Sequence, residues 1–384
     1  MRILYYTHSW YPFVSGITLR YKQFVDYYKD NNEIVLLTPY ESPQYPGITT
    51  YRIDGVPIPE EFLSKGDNRD VRTANYTNLA LITELLTICK LHNIEIIHGA
   101  CPDGFQFALK YVSTMLNIPL VFMFHTDMYE YSLYYNISSF IRCIETLLQY
   151  TMNRMTQPDL VLFPSNTNKL SNTNNGFLPL EYNNQILPIY ANATIFYPSE
   201  PTKIAEWSDG KTKLLFVGRI EPEKNIDEIF DIMDDTMSLC IVGKGNDTER
   251  LRQIATERNL DVKFVGLVDN DQLRYWYSSA DIVVIPSRTE TLGMTTLEAI
   301  ACGAAVVARN EGGTLDIIQH RYNGLMYGTT AELKSNITLI MSDTVLRNTI
   351  IQNSRVYTEA HSMEASLDWL YNQYQQLIQQ RQLN

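Results

Sequence analysis

The sequence is short of cysteine, of basic charge and of long apolar runs, and each shortage removes a class of protein. Five cysteines (Cys89, Cys101, Cys143, Cys240 and Cys302) are scattered over 384 residues, and an odd, unpaired set cannot close a disulfide framework. Reduced, mostly buried thiols are expected. The formal charge is −12, with 13 Lys and Arg against 17 Asp and Glu in residues 1–190 and 18 against 26 in the remainder. Neither half offers the basic excess that a phosphate-tracking nucleic-acid surface needs, so no nucleic-acid partner is expected. The totals give a lipid-binding basic surface no support either, and leave only local peripheral membrane docking open. No apolar run approaches membrane-spanning length, which argues against an integral membrane segment. Met1 to Tyr6 form a short apolar run without a small-residue cleavage site and read as a first strand, not a signal peptide. A cytoplasmic location is the resulting expectation.

Several catalytic signatures are missing too. There is no His-Glu-x-x-His or paired-Cys motif, so no metal is implied. No Gly-x-Ser-x-Gly elbow exists to anchor an esterase triad. Gly243-Lys244-Gly245 lacks the third glycine of a dinucleotide fingerprint and is a poor NAD signal.

The chain does contain two successive series of short apolar runs alternating with helix-length segments, the pattern of α/β units with parallel sheets. The first series comprises Arg2–Thr7, Glu33–Thr38, Ile94–His98, Leu120–His125 and Leu160–Pro164. The second comprises Lys213–Val217, Ser238–Val242, Val262–Val265, Ile282–Pro286 and Ala305–Ala308. This length exceeds what one core supports, so two doubly wound, Rossmann-like domains are expected. The first is placed at residues 1–195, together with a final helix at about 360–384, and the second at 196–359.

The stretch from Pro286 to Gly303 carries the most chemistry. A strand runs through a loop into a helix whose first turn includes Gly293 and Met294, and Leu292 leads into it. Free backbone N–H groups at such a start can hold an anion. Glu290 and Glu298 bracket the turn. Eight helical steps separate backbones by about 12 Å, wider than the roughly 5–9.5 Å of a hydrolase dyad. The two acids therefore suit different parts of one elongated ligand, Glu298 accepting from ribose hydroxyls and Glu290 from a sugar. A capping or surface glutamate at each position is the plainer alternative. Arg219 and Lys224 follow a strand, where both cations can reach the sheet's carboxyl edge; beside Glu221 and Glu223 they would otherwise form a solvated salt-bridge cluster. Gly312-Gly313-Thr314 precedes a helical segment and could accept phosphate oxygens.

Glu290 and Glu298 with seven residues between them, Ala301-Cys302-Gly303 and Gly312-Gly313 together resemble the signature of family 4 retaining glycosyltransferases. The resemblance extends over nearly the whole chain. It takes in Phe216-Val217-Gly218-Arg219 with Lys224, Ile241-Val242-Gly243-Lys244-Gly245, Phe264-Val265-Gly266-Leu267-Val268, and Ser279-Ala280-Asp281. It implies a GT-B fold, with two Rossmann-like domains facing across a cleft, and a hexosyltransferase that retains anomeric configuration. It further implies that Arg219 and Lys224 bind the donor diphosphate, that Gly243, Leu267 and Val268 line the base pocket, and that Gly16 offers its amide to the phosphates. The family usually has two adjacent glycines at the last of these positions, where this chain has Ser15-Gly16. His125, at a strand end in Val121–Asp127, is expected beside the transferred sugar; His98 has a weaker claim. The expected donor is a nucleotide-diphosphate sugar, GDP-mannose before UDP-glucose, and the acceptor a glycan or lipid. No cofactor is required. A nucleotide-sugar epimerase of similar fold and a non-catalytic sugar-nucleotide binding protein are the rival readings.

Overall fold

The computed structural model describes residues 1–12, 15–41, 44–53, 55–57, 72–74, 79–101, 104–125, 139–176, 182–201 and 204–383. The chain divides into two compact units, Met1–Leu187 with Leu367–Asn384, and Pro188–Ser366.

The first unit is built on a seven-stranded parallel sheet of order β3-β2-β1-β6-β7-β8-β9. Its strands are β1 Arg2–Tyr6, β2 Glu33–Thr38, β3 Thr49–Arg52, β6 Ile96–Cys101, β7 Leu120–Phe124, β8 Leu160–Phe163 and β9 Asn184–Ile186. A small antiparallel pair, β4 Gly55–Pro57 and β5 Arg72–Ala74, lies outside that sheet. The crossovers include α1 Gly16–Tyr28, α2 Leu79–Leu91, α3 Gln106–Leu116, α4 Ser139–Thr156 and α5 Asn166–Asn174. Residues 3–6 of β1, 34–38 of β2, and all of β7 and β8 are buried, which is why these strands read as continuous apolar runs instead of alternating ones. Leu4, Tyr6, Val35 and Leu37 share a core with Leu81, Leu85, Leu109 and Val112 of α2 and α3.

The second unit carries a six-stranded parallel sheet of order β12-β11-β10-β13-β14-β15. Its strands are β10 Thr212–Val217, β11 Met237–Val242, β12 Val262–Gly266, β13 Ile282–Ile285, β14 Val306–Arg309 and β15 Leu325–Tyr327. Around them stand α6 Asp227–Ile232, α7 Thr248–Glu257, α8 Leu273–Ser279, α9 Met294–Ala301, α10 Thr330–Ser342 and α11 Thr344–Ala360. Its sheet has a core on each face: Leu215, Cys240, Val283 and Val306 point to one, Leu214, Leu239, Ile282 and Val307 to the other, the alternation of successive side chains along a strand.

The last helix, α12 Met363–Leu383, returns the chain to the first unit. Leu367, Leu370 and Tyr374 are wholly buried, Leu367 O accepts from Tyr28 Oη at 2.6 Å, and Arg381 bonds Asp159 at 2.7 Å.

Candidate active site

Three loops leave the carboxyl ends of β10, β11 and β12 and zip together. Gly218 N–H donates to Val242 O at 3.0 Å, Ile220 N–H to Lys244 O at 3.0 Å, and Gly243 N–H to Gly266 O at 2.8 Å. A Cβ on Gly243, whose φ is +138°, would lie 1.9 Å from Gly218 O, and one on Gly245 would lie 2.0 Å from Ile220 O. These glycines therefore let the β11 loop press against the segment that carries Arg219. Gly243 acts through that approach. Arg219 is steadied by the buried Glu223, Nη2 to Oε1 3.1 Å, while its own side chain stays 43% exposed.

Lys224 closes the following 3-10 turn, Pro222–Lys224. Its ammonium meets Glu290 Oε1 at 2.6 Å and donates to Ser287 Oγ at 3.5 Å. Both partners of the pair are nearly buried, at 14% and 16% side-chain exposure. Burial alone would push the Glu290 carboxyl up, but the Lys224 charge and hydrogen bond, the Ser287 hydroxyl and the Arg219 charge outweigh it and hold the group below its ordinary range. Glu290 is thus an anion whose surroundings tie it to both cations.

The Gly312-Gly313 pair explains how the Glu290 loop is held. Gly313 N–H donates to Glu290 O at 2.5 Å, and Cβ atoms on Gly312 and Gly313 would meet Glu290 N at 2.9 Å and Thr291 O at 2.7 Å. The Gly313 amide expected to be offered to phosphate is therefore committed to the loop backbone, and the two glycines work as a backbone-to-backbone seat.

Gly293, in the left-handed region at φ +85°, is the N-cap of α9. Leu292 lies in the core and Met294 packs against it, so any ligand contact here falls to the first-turn amides. One turn further on, Glu298 is 8% exposed and accepts from the buried Tyr277 hydroxyl at 2.9 Å. Burial pushes Glu298 up to about 7, against the opposing pull of Tyr277. The structure thus joins Arg219, Lys224 and Glu290 electrostatically, and sets Glu298 apart in a pairing of its own. Ser287 and Tyr277, which hold Lys224 and Glu298, escaped the sequence reading; the Pro286-Ser287 step at the end of β13 was the signal for the first, whereas Glu223 stands as the salt-bridge partner of Arg219 that the sequence offered. Leu267 is 73% exposed and Val268 packs partly on the core.

In the first unit, Ser15 is extended at φ −136° and caps α1, accepting from Thr18 N–H in a capping box, and Gly16 begins the helix. A serine fits because that position needs no positive φ and its oxygen satisfies a first-turn amide. His125 follows β7. Its Nε2 is buried with no hydrogen-bond partner, and its ring lies 5.4 Å from that of Tyr21. Burial, with the charges of His98, His8 and Arg20, pulls its pKa well below the usual range; it is a neutral imidazole with one nitrogen to offer. Thr126 and Asp127 lie outside the described residues. His98 is different: fully buried, pulled down to about 3 by burial, and hydrogen-bonded through Nδ1 to Tyr374, it belongs to the core.

The expectation that no metal is needed overlooks one Asp-x-Asp triplet, Asp269-Asn270-Asp271, the metal-binding pattern of GT-A enzymes. Both carboxylates are exposed beyond β12, and among the described residues no three His, Cys, Asp or Glu are grouped to share an ion.

Two parallel-sheet, Rossmann-like units with this arrangement of loops define a GT-B fold. Residues 200–357, which contain Arg219, Lys224, Glu290 and Glu298, match the family model described as glycosyl transferases group 1. The chain is 24% identical to sulfoquinovosyl transferase SQD2 of Arabidopsis thaliana over 96% of its own length and 72% of that protein's. It is also 24% identical to a GDP-mannose-dependent alpha-mannosyltransferase of Mycolicibacterium smegmatis, over 85% of this chain and 84% of that one. Among solved structures, Anabaena Alr3699/HepE in complex with UDP superposes with a TM-score of 0.76 at 18% identity, covering 98% of this chain and 100% of the other. Together these likenesses show the two-unit fold over nearly the whole chain and a group 1 glycosyl transferase match over residues 200–357.

Proposed function

We propose that the chain is a retaining hexosyltransferase of the family 4 type, which moves a hexose from a nucleotide-diphosphate sugar to a glycan or lipid acceptor. The observation that carries this reading is the Lys224–Glu290 pair at 2.6 Å, with the Arg219 charge acting on the same carboxylate. As the glycosyl bond breaks, negative charge builds on the departing phosphate, and fixed cations stabilise that charge more than they stabilise bound donor. Lys224 has three donors, so it can hold Glu290 and a phosphate oxygen at once. Glu290 is then left to accept from sugar hydroxyls, and Glu298 from the ribose. Leu267, Val268 and the first-turn amides at Gly293 and Met294 supply the remaining donor contacts of the second unit.

The departing phosphate takes the acceptor proton, and the new bond forms on the face the nucleotide leaves, so the anomeric configuration is kept. GDP-mannose is the donor we favour, in keeping with the GDP-mannose dependence of the Mycolicibacterium smegmatis relative; UDP-glucose stands second, in keeping with the UDP bound by the structural neighbour.

Thermal-shift titration with GDP-mannose and UDP-glucose tests the donor: the cognate sugar nucleotide should raise Tm by mass action and the other should not. Proton NMR of the product tests the stereochemistry, an α-linked donor giving an α-linked product. An inverted anomer, or conversion of the donor into its epimer with no acceptor present, would overturn the reading.

A further inference from the structure

We propose that Glu228 and Arg309 are positioning residues of the donor site: their buried ion pair sets the Glu290 loop against the turn that carries Lys224. This inference rests on the donor role proposed for Lys224 and Glu290 and adds the device that holds them in register. Three segments meet at the Glu228 carboxylate. Glu228 lies in α6, four residues after Lys224; Arg288 lies two residues before Glu290; Arg309 ends β14, three residues before Gly312. Arg309 Nη1 donates to Glu228 Oε1 at 2.5 Å, and Arg288 Nη2 reaches the same oxygen at 3.4 Å. Oε2 accepts from Tyr327 Oη at 3.0 Å. The segments that supply Lys224, Glu290 and the Gly312-Gly313 seat are thus clasped a second time, by groups outside the Lys224–Glu290 pair.

The clasp is rigid because it is buried at its centre. The Arg309 and Glu228 side chains are 8% and 12% exposed, and charge-assisted bonds away from water outweigh those on open surface. The rest of the guanidinium is held too: Nε donates to Glu311 Oε1 at 2.9 Å, Nη2 to Gly328 O at 3.5 Å, and Cζ lies 5.8 Å from the centre of the Tyr327 ring. A planar fork keeps several acceptors in one geometry. Arg288 is 44% exposed, so its contact alone would contribute little; it gains from reaching a carboxylate that Arg309 and Tyr327 have already fixed. The backbone repeats the connection. A Cβ on Gly312 would lie 3.2 Å from Arg288 O and 2.9 Å from Glu290 N, so a shift of Arg309 at the end of β14 would carry to the seat as well as to the clasp.

Hydrogen–deuterium exchange of the full chain tests the positioning and needs no substrate. Glu228→Gln keeps an acceptor for Tyr327 and leaves Arg309 paired with Glu311. In that variant the amides of residues 287–293 should exchange about ten-fold or more faster, while those of β10, β11 and β13 stay unchanged. Arg288→Gln, a change at a half-exposed side chain, should loosen the same segment to a smaller degree. A merely stabilising role predicts instead faster exchange throughout the second unit, in step with lost thermal stability. Turnover of GDP-mannose or UDP-glucose supplies the second arm. The kcat of Glu228→Gln should fall about ten-fold or more, as misplacement of a substrate-holding group does, with the affinity for free GDP or UDP little changed, since Arg219 and Lys224 still meet the diphosphate. Unchanged exchange at 287–293 in both variants, loosening spread evenly over the unit, or a variant kcat equal to that of an active wild type would each overturn the inference. A wild type that turns over neither donor would count against the proposed reaction alone, and the exchange arm would still decide the positioning.

Discussion

Glu290 and Glu298 are eight residues apart, yet their surroundings push their ionisation in opposite directions. Glu290 is held low despite burial, so its contribution to stability is present above the ordinary carboxylate pKa and is lost as pH falls. Lys224→Met strands that charge; loss of one partner of a largely buried pair typically costs about 3–5 kcal/mol. Urea denaturation should show that loss, and adding Glu290→Gln should restore a substantial part of it. Glu298 behaves in the reverse sense. Its pKa is raised from 4.5 to about 7, so the stability associated with the neutral acid is complete below pH 4.5 and is lost as pH rises through 7, by about 3 kcal/mol. Glu298→Gln should remove that slope, leaving the variant more stable relative to wild type at pH 8 than at pH 5. In the proposed donor complex a ribose hydroxyl donates to Glu298 and favours its ionised form, so calorimetry should find donor binding by the wild type accompanied by proton release near pH 7.

At the scale of elements, α12 matters because it belongs to the first unit although the second unit precedes it in the chain. Tyr374 is wholly buried, hydrogen-bonded to His98, and packed against the rings of Tyr28 and His98. Tyr374→Ala should cost about 3–5 kcal/mol, as large aromatic truncations in cores do, and thermal unfolding of the full chain would measure it. The central strands of both sheets could be read in the sequence because residues such as Val35-Leu36-Leu37 and Ile282-Val283-Val284-Ile285 are buried on both sides and leave unbroken apolar runs. Three of the four edge strands could not. Thr49–Arg52, Asn184–Ile186 and Leu325–Tyr327 have three or four residues each and a sheet neighbour on one side only, so pairing to a formed sheet defines them more than their own pattern does. The site divides in the same manner. Arg219, Lys224 and Glu290 could be singled out from chemistry and order, and the structure brings them together electrostatically, whereas the role of Gly312-Gly313 as a seat for the Glu290 loop depends on two segments far apart in sequence coming within 3 Å, which no local pattern records.

Across the whole molecule, a chain that matches glycosyl transferases group 1 over residues 200–357 places its cation pair and both acids within that segment, so nucleotide recognition should reside there. Isothermal titration calorimetry of the wild type, Arg219→Ala and Lys224→Ala with GDP, UDP, GDP-mannose and UDP-glucose is the most direct test. One nucleotide series should bind the wild type, and each variant should weaken it by about ten-fold or more, the worth of a charge-assisted contact to phosphate. Binding of neither series, or equal affinity in the wild type and both folded variants, would contradict a diphosphate held by Arg219 and Lys224.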